Sequence, residues 1–223
     1  MNAFEIKRMI GAYLGKGLKV FSTSSFQTQS VVLLKILSEL DEKIHIYFLN
    51  TGYHFPETIA YKEDLSKLLN INVVDLKPNI SKSEQKDSMK RLLFSSNPDR
   101  CCYFNKIMPM EHLLQIYDVW ISGVRKSQTA ARSTLNYEEF GPFNIVRFHP
   151  LLDWTDSMVE SFIQENELPR HPLEKLGYKS IGCEPCTSKL SFSKEINIRD
   201  GRWFGLSKTE CGLHTELRVR VKS

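Results

Sequence analysis

Between Lys19 and Ser122, short apolar runs alternate with stretches of helical periodicity, and this rhythm restricts the fold more than any other feature of the chain. Lys19-Val20-Phe21-Ser22, residues 44–49, residues 71–76 and Val119–Ser122 read as strands. A helical pattern carrying Val31, Val32, Leu34, Ile36 and Leu37 separates the first two. Pro56 suits the first turn of the next helix, where its missing N–H costs nothing. Strands alternating with helices predict an α/β fold, a parallel sheet sandwiched by helices. After Gly177 the rhythm stops and Gly, Cys, Pro and Arg dominate, which predicts a site-forming tail. The expected division is an α/β domain over 1–190 and a C-terminal segment over 191–223.

Ligands of such sheets sit at the carboxyl ends of the strands, here segments 22–29, 50–56 and 122–132. The turn Ser22-Thr23-Ser24-Ser25 is rich in donors suited to a phosphate, although a plain helix cap would look the same. It has no glycine and no GK[ST], so it is not a Walker loop.

The net charge of +4, without any Lys/Arg tract, fits an anionic ligand and argues against nucleic acid. No stretch approaches the ~18 apolar residues of a membrane span, and residues 1–20 have no apolar core typical of a secretory leader. The chain is therefore expected in the cytoplasm, away from the membrane. Thiols stay reduced there, so the 5 cysteines point to metal or catalysis rather than to disulfides. Cys101-Cys102 is an adjacent pair, Cys183 and Cys186 form a CxxC, and Cys211 stands alone. Soft sulfur ligands select iron–sulfur or zinc, and adjacent ligands are unusual for zinc. A 4Fe–4S cluster, a structural zinc and unligated buried cysteines all stay open on this chemistry. Lys106 falls one helical turn past Cys102, on the same face if Cys101 opens a helix.

Several segments together resemble the assimilatory adenylylsulfate (APS) reductases, the cluster-bearing members of the phosphoadenylylsulfate (PAPS) reductase family. Cys101-Cys102, the CxxC and Glu210-Cys211-Gly212-Leu213-His214 match that family's cysteine pattern and its ECGLH signature. Asn50-Thr51-Gly52-Tyr53-His54-Phe55-Pro56-Glu57-Thr58 resembles its DTGxxFPET segment. Residues 123–132 resemble its GxRxxQSxxR loop, and Arg199-Asp200-Gly201-Arg202-Trp203 its RxGRW stretch. Two departures stand out: Asn50 replaces the usual aspartate, and Thr28-Gln29 replaces an acidic position.

The resemblance implies an adenine-nucleotide α-hydrolase-like fold, related to the ATP pyrophosphatases but lacking their SGGxDS loop. It implies reduction of APS to sulfite and AMP. Cys211 would be the nucleophile forming an S-sulfocysteine, and His214 would orient the sulfate or the tail. Arg125, Arg199, Arg202 and Lys106 would hold the phosphosulfate, with Arg132 either joining them or serving a structural ion pair. Ser24, Ser25, Leu49 and Gly52 would surround the adenosine. Cys101, Cys102, Cys183 and Cys186 would hold one 4Fe–4S cluster. The implied partner is a thioredoxin- or glutaredoxin-type thiol donor, and a homo-oligomer is compatible with the sequence. The alternatives are use of PAPS, alone or with APS, and a non-catalytic nucleotide-binding protein with structural zinc.

Overall fold

The computed structural model describes residues 1–189, 199, 201–203, 208 and 210–217, the side chains of His214 and Thr215 apart. Asn2 starts α1 (Ala3–Gly15) with a reciprocal cap: its side chain accepts the Glu5 N–H, and the Glu5 carboxylate accepts the Asn2 N–H. Strand β1 (Val20–Thr23) is buried on both faces, as a central parallel strand must be. Helix α2 (Val31–Ser38) is apolar almost all round because it is wedged between the sheet and both α1 and α7. Strand β2 (His45–Leu49) leads to α3 (Pro56–Leu68), which has Pro56 in its first turn, and then to β3 (Asn72–Leu76).

Two short helices follow, α4 (Leu93–Ser96) and α5 (Pro98–Cys102). A single π-helical turn, Tyr103–Ile107, joins α5 to α6 (Met108–Ile116). The remaining elements are β4 (Val119–Ser122), β5 (Glu138–Phe140), β6 (Val146–Phe148), α7 (Asp156–Glu165) and α8 (Gly212–Thr215). Cys101 does not open a helix, the condition for Lys106 to share its face: Cys101 and Cys102 close α5, and Lys106 lies in the π turn beyond them.

The strand order is β3-β2-β1-β4-β6-β5, all parallel except β5, which runs antiparallel to β6. The parallel sheet between helices is therefore the observed architecture. Thr23 pairs with Tyr47 on one side and Ser122 on the other. The chain steps from β1 outward through β2 and β3, then crosses back to β4 on the opposite side of β1. That reversal opens a crevice at the carboxyl ends of β1 and β4, where ligands of open α/β sheets bind. Phe21, Trp120 and Ile121 are fully buried beneath it. At about 2 kcal/mol for each large apolar side chain, this floor is rigid.

Candidate active site

A cavity of about 410 Å³ occupies the crevice. Its wall includes Ser24, Ser25, Leu49, Lys106, Arg125, Arg199, Arg202 and Cys211, so most of the expected site residues converge there. Gly52 lies outside that lining. It turns the chain at φ +72, and a Cβ there would meet Lys82 Cε at 2.6 Å. The side chain of His214 falls outside the described residues.

The loop after β1 takes its shape from side chains rather than glycines. Phe26 sits at φ +53, buried, and its N–H donates to Ser24 Oγ at 3.1 Å. Gln27 Oε1 accepts the Ile181 N–H at 2.8 Å and the Ser180 hydroxyl at 3.3 Å. Thr28 accepts the His171 N–H at 3.0 Å and donates to Glu174 at 2.5 Å. The loop over the cavity is thereby tied to the segment that leads into Cys183.

Cys101, Cys102, Cys183 and Cys186 border one small second cavity, together with Thr51, Asn105, Lys106, Arg202 and Trp203. Thr51 Oγ1 lies 3.3 Å from Cys183 Sγ, and Asn105 Nδ2 lies 3.5 Å from Cys101 Sγ. Burial, with Cys183 and Cys186 alongside, pushes the Cys101 thiol up to about 11. Cys186 is raised by the same two influences, burial and Cys183. Thiols crowded this way cannot all ionise unless a cationic centre offsets them. Among the described residues, no group of three or more His, Cys, Asp or Glu side chains is drawn together tightly enough for a metal ion. Four sulfurs spread around a cavity fit the donor set of a multi-iron cluster better than that of one small ion.

Cys211 is also buried, with Lys106 Nζ 3.7 Å from its Sγ. Its thiol is held well below the ordinary cysteine value by a hydrogen bond from Cys102, by Lys106, by the Leu213 N–H and by Arg202, all against the opposition of burial. Cys102 is pushed up correspondingly, by that shared hydrogen bond and by burial. Lys106, the Leu213 N–H and Arg202 act on Cys211 independently of the Cys102 proton. Burial opposes the charge of Lys106, yet Cys211, Cys183 and Cys102 together hold its pKa above the ordinary lysine value. Lys208 is ion-paired with Asp99.

Glu210 is the fastening that the sequence reading missed, although it stands inside the ECGLH signature. Its carboxylate takes both Nε and Nη2 of Arg132 at 2.8 Å, Arg199 Nη2 at 3.1 Å, Thr129 Oγ1 at 3.0 Å and the Cys211 N–H at 2.9 Å. Burial opposes ionisation, but Arg132 and Arg199 bring its pKa down to about 2. Arg132 is thus in a buried ion pair. Arg125 pairs with Asp156 at 2.7 Å. Arg199 is depressed to about 10 by burial and by Arg132, and its buried Nε has no hydrogen-bond partner among the described residues. Arg202 lies over the Trp203 ring at 4.7 Å and donates from Nε to the Cys186 carbonyl at 3.1 Å. The wall carries more positive than negative charge, which suits a multiply charged oxyanion.

A profile of the phosphoadenosine phosphosulfate reductase domain matches residues 19–189. An adenosine 5'-phosphosulfate reductase of Oceanobacillus iheyensis is 38% identical over 206 residues, covering 92% of this chain and 85% of that protein. Another, from Rhodococcus erythropolis, is 36% identical over 187 residues, covering 83% and 75%. Among solved structures, a phosphoadenylyl-sulfate reductase from Candida auris in a phosphate complex superposes with a TM-score of 0.66, at 24% identity, over 80% of this chain and 87% of that one. Among the described residues, no helix is long and apolar enough to cross a membrane. With the motifs, the sheet order and these likenesses in agreement, the chain belongs to the phosphoadenosine phosphosulfate reductase domain family.

Proposed function

We propose that this enzyme reduces adenylyl sulfate to sulfite and AMP, with Cys211 as the nucleophile. The observation that carries the reading is the placement of Lys106 Nζ 3.7 Å from Cys211 Sγ on the wall of an arginine-lined cavity. The relatives above, both adenosine 5'-phosphosulfate reductases, supply the substrate class.

The Cys211 thiolate attacks the sulfate sulfur. The bond from that sulfur to the phosphate oxygen breaks, AMP leaves with the electron pair, and Cys211 carries an S-sulfo group. Arg125, Arg199 and Arg202 hold the phosphosulfate, and Lys106 offsets charge that builds on the sulfate oxygens. Ser24, Ser25 and Leu49 flank the nucleoside. A thiolate of an external dithiol donor, of thioredoxin or glutaredoxin type, then attacks Cys211 Sγ and releases sulfite. The donor's second thiol resolves the mixed disulfide. The donor is oxidised by two electrons, and the sulfur is reduced by the same two.

Cys101, Cys102, Cys183 and Cys186 would hold a 4Fe–4S cluster. When bound, it supplies a fixed charge beside the substrate and a structural clamp for the cysteine layer. Residues 1–190 form the nucleotide-binding unit and 191–223 carry the nucleophile, and His214 orients the sulfate or the tail. Unpaired cysteines throughout fit a reducing cytoplasm.

The test is anaerobic purification, an iron count, and a sulfite assay with APS or PAPS and reduced thioredoxin. The expected result is a brown protein with about four irons per chain and turnover of APS well above that of PAPS. Dominant turnover of PAPS overturns the substrate assignment. A colourless zinc protein inactive on both nucleotides overturns the enzymatic reading.

A further inference from the structure

The small cavity among the cysteines holds a polar group that has no role in the chemistry above. Tyr53 lines it beside Cys101, Cys102, Cys183 and Cys186. Its hydroxyl is buried and has no hydrogen-bond partner among the described residues. The residue is clamped in place. Its N–H donates to Thr51 Oγ1 at 3.2 Å, and its carbonyl accepts the Glu184 N–H at 2.7 Å. Its ring meets Phe94 edge-on, with the centroids 5.6 Å apart, and Lys82 Nζ lies over it at 4.7 Å. The phenolic oxygen is on the ring axis, so a ring flip leaves it where it is.

A buried hydroxyl left unmatched costs about 1–3 kcal/mol, and native folds match nearly all such groups. The wall of the cavity limits what the match can be. Its aromatic and proline side chains offer no strong acceptor, and Lys106 and Arg202 only donate. Asn105 Oδ1 is taken by Gln85 Nε2 at 3.1 Å, and Thr51 Oγ1 already accepts the Tyr53 N–H. Sulfur is the side-chain acceptor left. A neutral thiol accepts weakly, whereas sulfur bound to iron carries negative charge and accepts well. Burial, and after it Cys101 and Cys183, raise the Tyr53 pKa, so the hydroxyl keeps a proton to donate.

We propose that Tyr53 is a positioning residue of the cysteine layer, whose hydroxyl donates to a metal-bound sulfur of the 4Fe–4S cluster and so helps to retain it. The inference rests on the cluster reading above and adds to it a donor that the family pattern leaves open, since Tyr53 stands at an x of DTGxxFPET. Hydrogen bonds to ligating sulfur disperse its charge and hold it in place.

The experiment uses the protein purified anaerobically with its iron, as the wild type and as Tyr53→Phe, which keeps the ring and its contact with Phe94. Resonance Raman spectra are recorded in ordinary and in heavy water. Deuteration of a proton bonded to sulfur shifts the Fe–S stretching bands, and that shift is expected to be smaller in Tyr53→Phe, the remainder coming from other donors such as Thr51. Release of iron to an excess of chelator, without any nucleotide, is expected to be about tenfold faster in the variant, the worth of one net hydrogen bond. A role confined to ring packing would leave both readouts as in the wild type. The proposal is overturned if either readout of Tyr53→Phe matches that of the wild type. Absence of iron from the anaerobic wild-type protein overturns the cluster reading itself and this inference with it, a result distinct from an unchanged variant.

Discussion

Phe21, Ser22 and Ile121 are held near the strand mouths by ladder hydrogen bonds and by burial, whereas Cys211, which shares an apolar cluster with Phe21, is fastened in addition by the Glu210 carboxylate at its N–H. On the sheet side, removal of one contact leaves the rest of the floor intact. On the cysteine side, one carboxylate, Glu210, fastens two arginines and the N–H of Cys211. The contrast suits the proposed chemistry. The nucleotide needs a rigid seat, while the nucleophile must meet a substrate and then an external thiol. Electrostatic fastenings depend on the charges around them, and a bound phosphosulfate would bring new ones.

The largest effect that separates the two walls comes from Cys211→Ser. Sulfite release falls by more than about 1000-fold, because a serine hydroxyl is a far poorer nucleophile than a thiolate. AMP binding, measured by calorimetry, stays within about twofold if the strand mouths act independently of Cys211. A parallel loss of AMP affinity would show that the two walls are one unit.

Next is Glu210→Gln, which leaves Arg132 and Arg199 buried without their carboxylate. Breaking a buried pair costs about 3–5 kcal/mol, read here as faster amide exchange over 210–217 with little change in β1 and β4. The wild type carries the same information in its pH dependence. The Glu210 pKa is depressed to about 2 when folded, from an ordinary 4.5. Its contribution is therefore present above pH 4.5 and is lost as pH falls toward 2, amounting to about 3 kcal/mol. Acid titration of the exchange rates should show the cysteine layer loosening before the sheet.

Lys106→Met ranks third. The thiolate of Cys211 loses its nearest cation, so alkylation by iodoacetamide shifts to higher pH and kcat/KM falls by about 100-fold. An unchanged alkylation profile would mean that Arg202 and the Leu213 N–H suffice.

The same contrast explains what the sequence disclosed. The central strands and the helices at Val31 and Pro56 were legible because burial on a parallel sheet writes continuous apolar runs. The edge pair was not: Glu138-Glu139-Phe140 and Val146-Arg147-Phe148 are three residues each and carry charges. The charges of Glu139 and Arg147 face one another across the pair, with Arg147 Nη1 3.9 Å from Glu139 Oε2. The cysteines and arginines were legible as residue types matched to a family. What each touches was not, because Arg132 meets Glu210 only after β4, the 129–132 turn and the tail are brought together. Thr28, with Gln29, stands out in the sequence as a departure from the family's acidic position, and its hydrogen bond to His171, like that of Gln27 to Ile181, appears only in three dimensions.

Asn50 gives the smallest and most specific test, since here the chain departs from the aspartate of its family's motif. Asn50 Nδ2 donates to Asp75 Oδ2 at 2.7 Å, and Asn50 Oδ1 accepts the Gly52 N–H at 3.2 Å. Asp75 also pairs with buried Lys62 at 2.6 Å. Its carboxyl is held below the usual value by Lys62 and Asn50, in spite of burial. Asn50→Asp keeps the acceptor for Gly52 but replaces the donor with a second carboxylate against Asp75. With two carboxylates set against each other, the cost at neutral pH is about 1–2 kcal/mol, measured by urea unfolding. The new aspartate is raised above its unfolded value by its neighbour, so the folded state binds the extra proton more readily. The deficit is accordingly small in acid and grows as pH rises through the carboxylate range. The double variant Asn50→Asp, Asp75→Asn exchanges the two groups and should recover most of the loss. Recovery would show that Asn50 is the partner Asp75 requires on the strand side of the cavity, and no recovery would place the cost in the turn at Gly52 instead.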